Sequence, residues 1–317
     1  MTETRSLLVT VPGATLRRAL EQTPGGVPEG VELVEWDLAG PPPPAASGRR
    51  IDIVVPPYMG ASARFSALDG LEVGLVQSQS IGYDDVPAAL PAGHVFANAA
   101  SVHETSTAEL AVGLAIAAQR GIPDFVRAAA DGRWAPARHA SLADRRVLLV
   151  GYGGVGRAIE ARLAPFEVEL TRVAHRARDD EHGPVHGVDE LPGLLPRAEI
   201  VIVAVPLTDA TTRLVDGGFL AALPDGALVV NVARGPVADT DAIVAEATAG
   251  RLRFALDVAD PEPLPDGHPL FALPNVLVSP HVGGATTAMM PRMARLLRDQ
   301  IERMRRGASP RNVVLRT

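Results

Sequence analysis

Short apolar runs recur along the chain, separated by polar turns or by stretches whose apolar residues return every three to four positions. The first set is "SLLVTV" (6–11), "VELVEW" (31–36), "IDIVV" (51–55), "LEVGLVQS" (71–78) and "HVFANA" (94–99). The second is "VLLV" (147–150), "VELTRVA" (168–174), "IVIVAV" (200–205), "ALVVNVA" (227–233), "FALDVA" (254–259) and "VLVS" (276–279). Runs of this length, bounded by turn chemistry such as "GPPPP" at 40–44, predict strands. Most are continuous rather than alternating, so both faces should be covered, as in parallel sheets flanked by helices. The run at 168–174 carries Glu169 and Arg172, polar residues in a position that otherwise reads as buried.

Two helices are predicted to join the sets. "STAELAVGLAIAAQRG" (106–121) offers Ser106 and Thr107 as N-caps, and Gly121 and Pro123 stop it. It is apolar nearly all round, which predicts burial. "TTAMMPRMARLLRDQIERMRRG" (286–307) is amphipathic and basic toward its C-terminal end, where cations complement the helix dipole. This helix can return the chain to the first set. The expected domains are therefore residues 1–100 plus 286–317, and residues 101–285.

Composition narrows the class. The 317 residues are 47% hydrophobic and 21% charged, which is globular, and suffice for two cores. A net charge of −7 argues against nucleic acid or an anionic membrane as partner. The absence of cysteine excludes disulfides, thiolate zinc sites and cysteine nucleophiles. No run is long enough for a membrane span, and the apolar stretch in "MTETRSLLVTVPG" is too short for a signal peptide, so a cytoplasmic location is expected.

Candidate chemistry begins at "VLLVGYGGVGRAIEARL" (147–163). Gly151, Gly153 and Gly156 form G-x-G-x-x-G between a predicted strand and a predicted helix. That context permits a tight turn, close backbone approach to a pyrophosphate, and a helix N-terminus facing the anion. A NAD-selective site wants a carboxylate at the end of the next strand. Here the chain has Ala174, His175, Arg176 and Arg178, which suit a 2′-phosphate, with Arg176 as its main partner and Arg178 in reserve, so NADP(H) is expected over NAD(H). Later strands each deliver a polar group near their C-terminal ends: Arg234, Asp257, Glu262, and His281 in "VSPHVGG". In an open α/β sheet the ligand crevice lies beyond those ends. A histidine, a carboxylate and an arginine beside a nicotinamide are what carbonyl reduction needs, because charge develops on the oxygen and a proton must arrive there.

In "STAEL", "GYGGVGRAI", "VPLTDATTRL", "VNVARGPVAD", "ALDVADPEPLPDGHPLF" and "NVLVSPHVGGAT" the chain resembles the D-isomer-specific 2-hydroxyacid dehydrogenases. The resemblance is dense from about residue 100 to 290, and before that it lies chiefly in "QSQSIGYDDV" (77–86). It implies two Rossmann-like domains with parallel sheets, the cofactor domain inserted into a flavodoxin-like substrate domain. It implies His281 as acid/base, Glu262 as its hydrogen-bonded partner, and Arg234 as clamp on substrate carboxylate and carbonyl. Ser80, Ile81 and Gly82 would offer backbone N–H groups to the carboxylate, and Asp257 would lie near the nicotinamide. Gly154, Val155, Pro206, Thr208, Thr212 and Val232 complete the implied cofactor contacts. The expected activity is reduction of a small 2-keto acid such as glyoxylate or hydroxypyruvate to the D-2-hydroxy acid, by a homodimer.

Other relatives give rival readings. Formate dehydrogenases carry glutamine where this chain has Glu262, and phosphoglycerate dehydrogenases often bear an added regulatory domain. A nucleotide-sensing protein without catalysis, like the family's corepressors, is the rival outside enzymology. His103 and Glu104 read as polarity at a helix start. His182 and His186 lie in "EHGPVHG", too rich in glycine and proline for a helical metal pair. Trp134 reads as a packing or subunit-contact residue, and "PPYMG" (56–60) carries no signature of one substrate.

Overall fold

Each predicted run forms a strand in the computed structural model, which describes residues 6–317. The strands are β1 Leu7–Val11, β2 Val31–Glu35, β3 Ile51–Val54, β4 Val73–Gln77 and β5 Val95–Ala97, then β6 Arg146–Val150 and β7 Glu169–Ala174. They continue as β8 Arg178–Asp180, β9 Gly183–Gly187, β10 Ile200–Val203, β11 Leu228–Asn231, β12 Arg253–Leu256, β13 Val276–Val278 and β14 Val313–Arg316. The chain divides into two units: residues up to His103 with Thr286–Thr317, and Glu104–Ala285 between them.

The unit built from both ends of the chain holds one sheet, in the order β14-β5-β4-β3-β1-β2. Its strands run parallel except β14, which pairs antiparallel with β5. Val9, Ile53 and Leu75 are buried on one face and Leu8, Val54 and Val76 on the other, which is why these strands are mostly apolar on both faces, with Thr10, Asp52 and Gln77 as buried polar exceptions. The Met289–Arg305 helix lays Met289, Met293, Leu297 and Ile301 onto the first face, a four-residue spacing that puts them on one side. Each such side chain contributes about 1.5–3 kcal/mol through burial.

The inserted unit carries the second sheet, in the order β13-β12-β11-β10-β6-β7-β9-β8. It is parallel except for β8, which pairs antiparallel with β9. Every residue of β10 and β11 is buried, since cores cover both faces. The first helix of this unit packs Ala108, Ala111, Val112 and Ala115 into one of them.

Four features depart from the sequence expectation. The helix begins at Glu104, so Ser106 and Thr107 lie within its first turn and are not its N-caps. Three further strands, β9 and the edge strands β8 and β14, join the sheets from segments without a long apolar run, and two of the pairings are antiparallel. Arg172 is buried in β7, where it pairs with Glu160 at 3.3 Å and Asp180 at 3.1 Å. Burying that charge is tolerable only because two carboxylates meet it. Trp134 is 96% exposed, so it packs no core within this chain.

Candidate active site

Adjacent strands β11, β12 and β13 end in loops that carry the polar candidates. Asn231, the last residue of β11, is buried, and its side chain shapes the turn that follows. Its Oδ1 accepts from the Ala233 N–H at 3.0 Å, and its Nδ2 donates to the Arg234 carbonyl at 3.3 Å. Arg234 is half-buried and donates to the Ala233 carbonyl at 2.8 Å. Gly235 follows because a Cβ there would overlap the Ala259 carbonyl oxygen, so the two loops meet backbone to backbone.

Asp257 follows β12 and is buried. Its Oδ1 accepts from Ser279 Oγ at 2.6 Å and from the Val282 N–H at 2.9 Å, and its Oδ2 accepts from the Gly283 N–H at 2.9 Å. Its carbonyl accepts the His281 N–H at 2.7 Å. One aspartate thus gathers the whole turn after β13. At the head of that turn His281 has φ +52°, the left-handed region that non-glycine residues rarely occupy. Its Nδ1 lies 2.5 Å from Glu262 Oε1. An ionised carboxylate only accepts, so Nδ1 carries the proton and Nε2 is the nitrogen left for chemistry.

In the unit built from both chain ends, the loop after β4 carries Ser80, Ile81 and Gly82, all half-buried. The Ser80 N–H donates to Ser78 Oγ at 2.9 Å, whereas the Ile81 and Gly82 N–H groups have no acceptor among the described residues. The loop is tied down from below. Gln79 Nε2 donates to the Pro56 carbonyl at 2.9 Å, and the Gln79 carbonyl receives His103 Nε2 at 2.6 Å. Tyr58 stacks on His103, with ring centroids 5.6 Å apart. His103 is therefore a buried tie between two loops rather than surface polarity at a helix start.

The glycine loop joins β6 to the Gly154–Leu163 helix. Gly151 has φ +108°, and a Cβ there would stand 2.5 Å from the Ala204 backbone carbon. A Cβ on Gly156 would strike the Gly151 carbonyl oxygen, so the first helical turn must pass close beneath the loop. Gly153 and Gly154 are exposed, the space beside Gly153 is open, and no side chain caps the helix there. Val155 is half-buried. A cradle with obligatory glycines below and bare backbone above fits a dinucleotide pyrophosphate.

Pro206, Thr208 and Thr212 lie exposed in the loop after β10. Thr211 folds that loop, since its hydroxyl donates to the Pro206 carbonyl at 2.6 Å and accepts the Thr208 N–H at 2.8 Å. Val232 is buried. Beyond β7, His175 and Arg176 are exposed on a bend, while Arg178 opens β8 and donates to the Tyr152 carbonyl at 3.2 Å. His186 Nδ1 meets Glu190 at 2.7 Å, and no group of three or more His, Asp or Glu that could hold a metal ion occurs among the described residues. Sequence reasoning passed over Asn231, Ser279 and Tyr152. The available signal for Asn231 was a polar residue at the end of an otherwise apolar strand.

A dinucleotide cradle and a His–Glu pair, both at the carboxyl ends of strands in one parallel sheet, define a nicotinamide-type oxidoreductase domain. The chain belongs to the D-isomer specific 2-hydroxyacid dehydrogenases: the NAD binding domain of that family matches residues 112–283. Members of this family are oxidoreductases that act on CH–OH groups. A glyoxylate reductase from Thermofilum pendens is 32% identical over 247 residues, covering 74% of this chain and 73% of the relative. A D-isomer specific 2-hydroxyacid dehydrogenase from Xanthobacter autotrophicus, solved with NADPH and MES, superposes with a TM-score of 0.79 at 29% identity, covering 98% of each chain. An NADPH-dependent glyoxylate/hydroxypyruvate reductase from Sinorhizobium meliloti, solved with NADP and malonate, gives 0.77 at 27% identity over 98% of this chain and 97% of the other. Among the described residues no helix is long and apolar enough to cross a membrane.

Proposed function

We propose that the protein reduces a small 2-keto acid, of the glyoxylate or hydroxypyruvate kind, to the D-2-hydroxy acid, with NADPH preferred over NADH. The observation that carries this reading is His281 Nδ1 at 2.5 Å from Glu262 Oε1, on a turn anchored to buried Asp257. Arg234, Glu262 and His281 are the catalytic residues. The nicotinamide cofactor, when bound, supplies the hydride. His281, carrying protons on both ring nitrogens, gives the one on Nε2 to the carbonyl oxygen as negative charge develops there, and Glu262, bonded to Nδ1, holds the ring in place. Arg234 holds the carboxylate and polarises the carbonyl with a planar fork that an ammonium could not copy.

The Ile81 and Gly82 N–H groups are the stronger candidates for the substrate carboxylate, because the Ser80 N–H is already engaged. The cofactor is assigned to Gly151, Gly153, Gly154, Val155, Gly156, Pro206, Thr208, Thr212 and Val232. The basic residues His175, Arg176 and Arg178 support the NADPH preference, as does the NADPH dependence of the Sinorhizobium relative. In this reading residues 101–285 are the cofactor domain and residues 1–100 plus 286–317 are the substrate domain. A second copy of the chain is placed on the exposed apolar residues Ile122, Phe125, Val126 and Trp134. The test is a panel of 2-keto acids assayed with NADPH and with NADH. Turnover of glyoxylate or hydroxypyruvate with NADPH oxidation supports the reading. Cofactor binding without turnover of any keto acid would instead favour a nucleotide-sensing role.

A further inference from the structure

Tyr152 lies between Gly151 and Gly153 of the phosphate loop, yet it is buried, and three guanidinium groups surround its ring. Arg172 stands 5.3 Å from the ring centroid, and Arg157 and Arg178 stand 5.8 Å from it. The phenol donates to Glu160 of the following helix. Burial raises its pKa, and the bond to Glu160 raises it further, so the hydroxyl remains a donor. Arg172 consumes the nearby negative charge by pairing with Glu160 and Asp180. Arg172 also donates to the His182 carbonyl at 2.5 Å, which fastens the β8–β9 turn against β7.

Arg178 is the residue this framework holds in place. It precedes Asp180 by two positions in β8, so both lie on the same side of the strand. One N–H of Arg178 donates to the Tyr152 carbonyl, its remaining donors have no acceptor, and it has no ion pair among the described residues. Both arginines are exposed, but Arg176, on the bend, makes no hydrogen bond or ion pair among the described residues. A guanidinium already ordered beside the glycine loop loses less freedom on meeting an anion than one free in solvent.

We infer that Arg178, seated on the Tyr152 ring, is the residue that selects the 2′-phosphate, with Tyr152 and Arg172 as its positioning residues and Arg176 a minor contributor. The inference rests on the NADPH preference proposed above. Calorimetric affinities for NADP+ and NAD+ test it without recourse to turnover. Arg178→Ala should weaken NADP+ binding by about 10- to 100-fold, the worth of charge-assisted bonds to phosphate, and leave NAD+ binding unchanged. Arg176→Ala should leave the NADP+/NAD+ ratio close to that of the wild type. Tyr152→Leu removes the platform and should lower that ratio, while Tyr152→Phe, which keeps the ring, should preserve it. If Tyr152→Leu does not fold, the two arginine variants decide. A loss of selectivity in Arg176→Ala but not in Arg178→Ala overturns the inference. Wild-type protein with equal affinities for the two cofactors overturns the NADPH preference itself.

Discussion

Replacing Asp257 with alanine should disable the protein twice, because one carboxylate organises the turn that carries His281. The substitution removes the acceptor of the Ser279 hydroxyl and of the Val282 and Gly283 N–H groups. An orphaned buried donor costs about 1–3 kcal/mol. The hydroxyl can rotate to another acceptor, so the two amides dominate, at about 2–4 kcal/mol once the turn relaxes. For a unit of this size each kcal/mol shifts Tm by about 2–4 °C, so a loss of about 4–16 °C is expected. Relaxation also lets His281 leave its left-handed conformation and its place beside Glu262. A misplacement of about 1 Å is enough to cost roughly 100-fold in rate. Asp257→Asn should be milder, since one oxygen can still accept, although its amide would set a donor against the Gly283 N–H. The assay pairs thermal unfolding with kcat and the cofactor KM. Wild-type Tm and kcat with a raised cofactor KM would refute the reasoning and assign Asp257 to the nicotinamide instead.

Arg234→Lys should keep the charge but lose the bidentate fork, raising KM for the keto acid by about 10-fold or more, as steady-state kinetics would show. Val126→Glu should place a charge in the exposed apolar face around Ile122, Phe125 and Trp134 and shift sedimentation from dimer to monomer with Tm little changed. A wild-type protein that sediments only as monomer would remove the basis for that face as a subunit contact.

The strands were legible because the buried ones are runs of mainly apolar residues: β10 reads Ile200–Val203 and is fully covered on both faces. The edge strands were not. β8 is Arg-Asp-Asp and exposes two of its three residues, so no hydrophobic pattern announces it; what fastens it is the ion pair of Asp180 with Arg172. That partnership also explains a buried arginine in β7, which looked out of place when read along the strand alone. The glycines of the loop were legible because only they fit the φ of Gly151 and the contact beneath Gly156. The supports of the candidate site were hidden for another reason. Glu262 and His281 are 19 positions apart, and Asp257 reaches the turn from a neighbouring strand, so sheet topology rather than spacing joins them. The engagement of the Ser80 N–H by Ser78 depends on a local turn that no residue pattern specifies.

The central claim is that His281 delivers the proton to the substrate oxygen. The measurement that tests it most directly is kcat for glyoxylate or hydroxypyruvate reduction by His281→Ala, beside its calorimetric cofactor affinity. The account predicts a fall in kcat of about 10²–10⁴, the usual worth of general acid catalysis, with cofactor affinity and Tm close to wild type. A variant that turns over near the wild-type rate would contradict it.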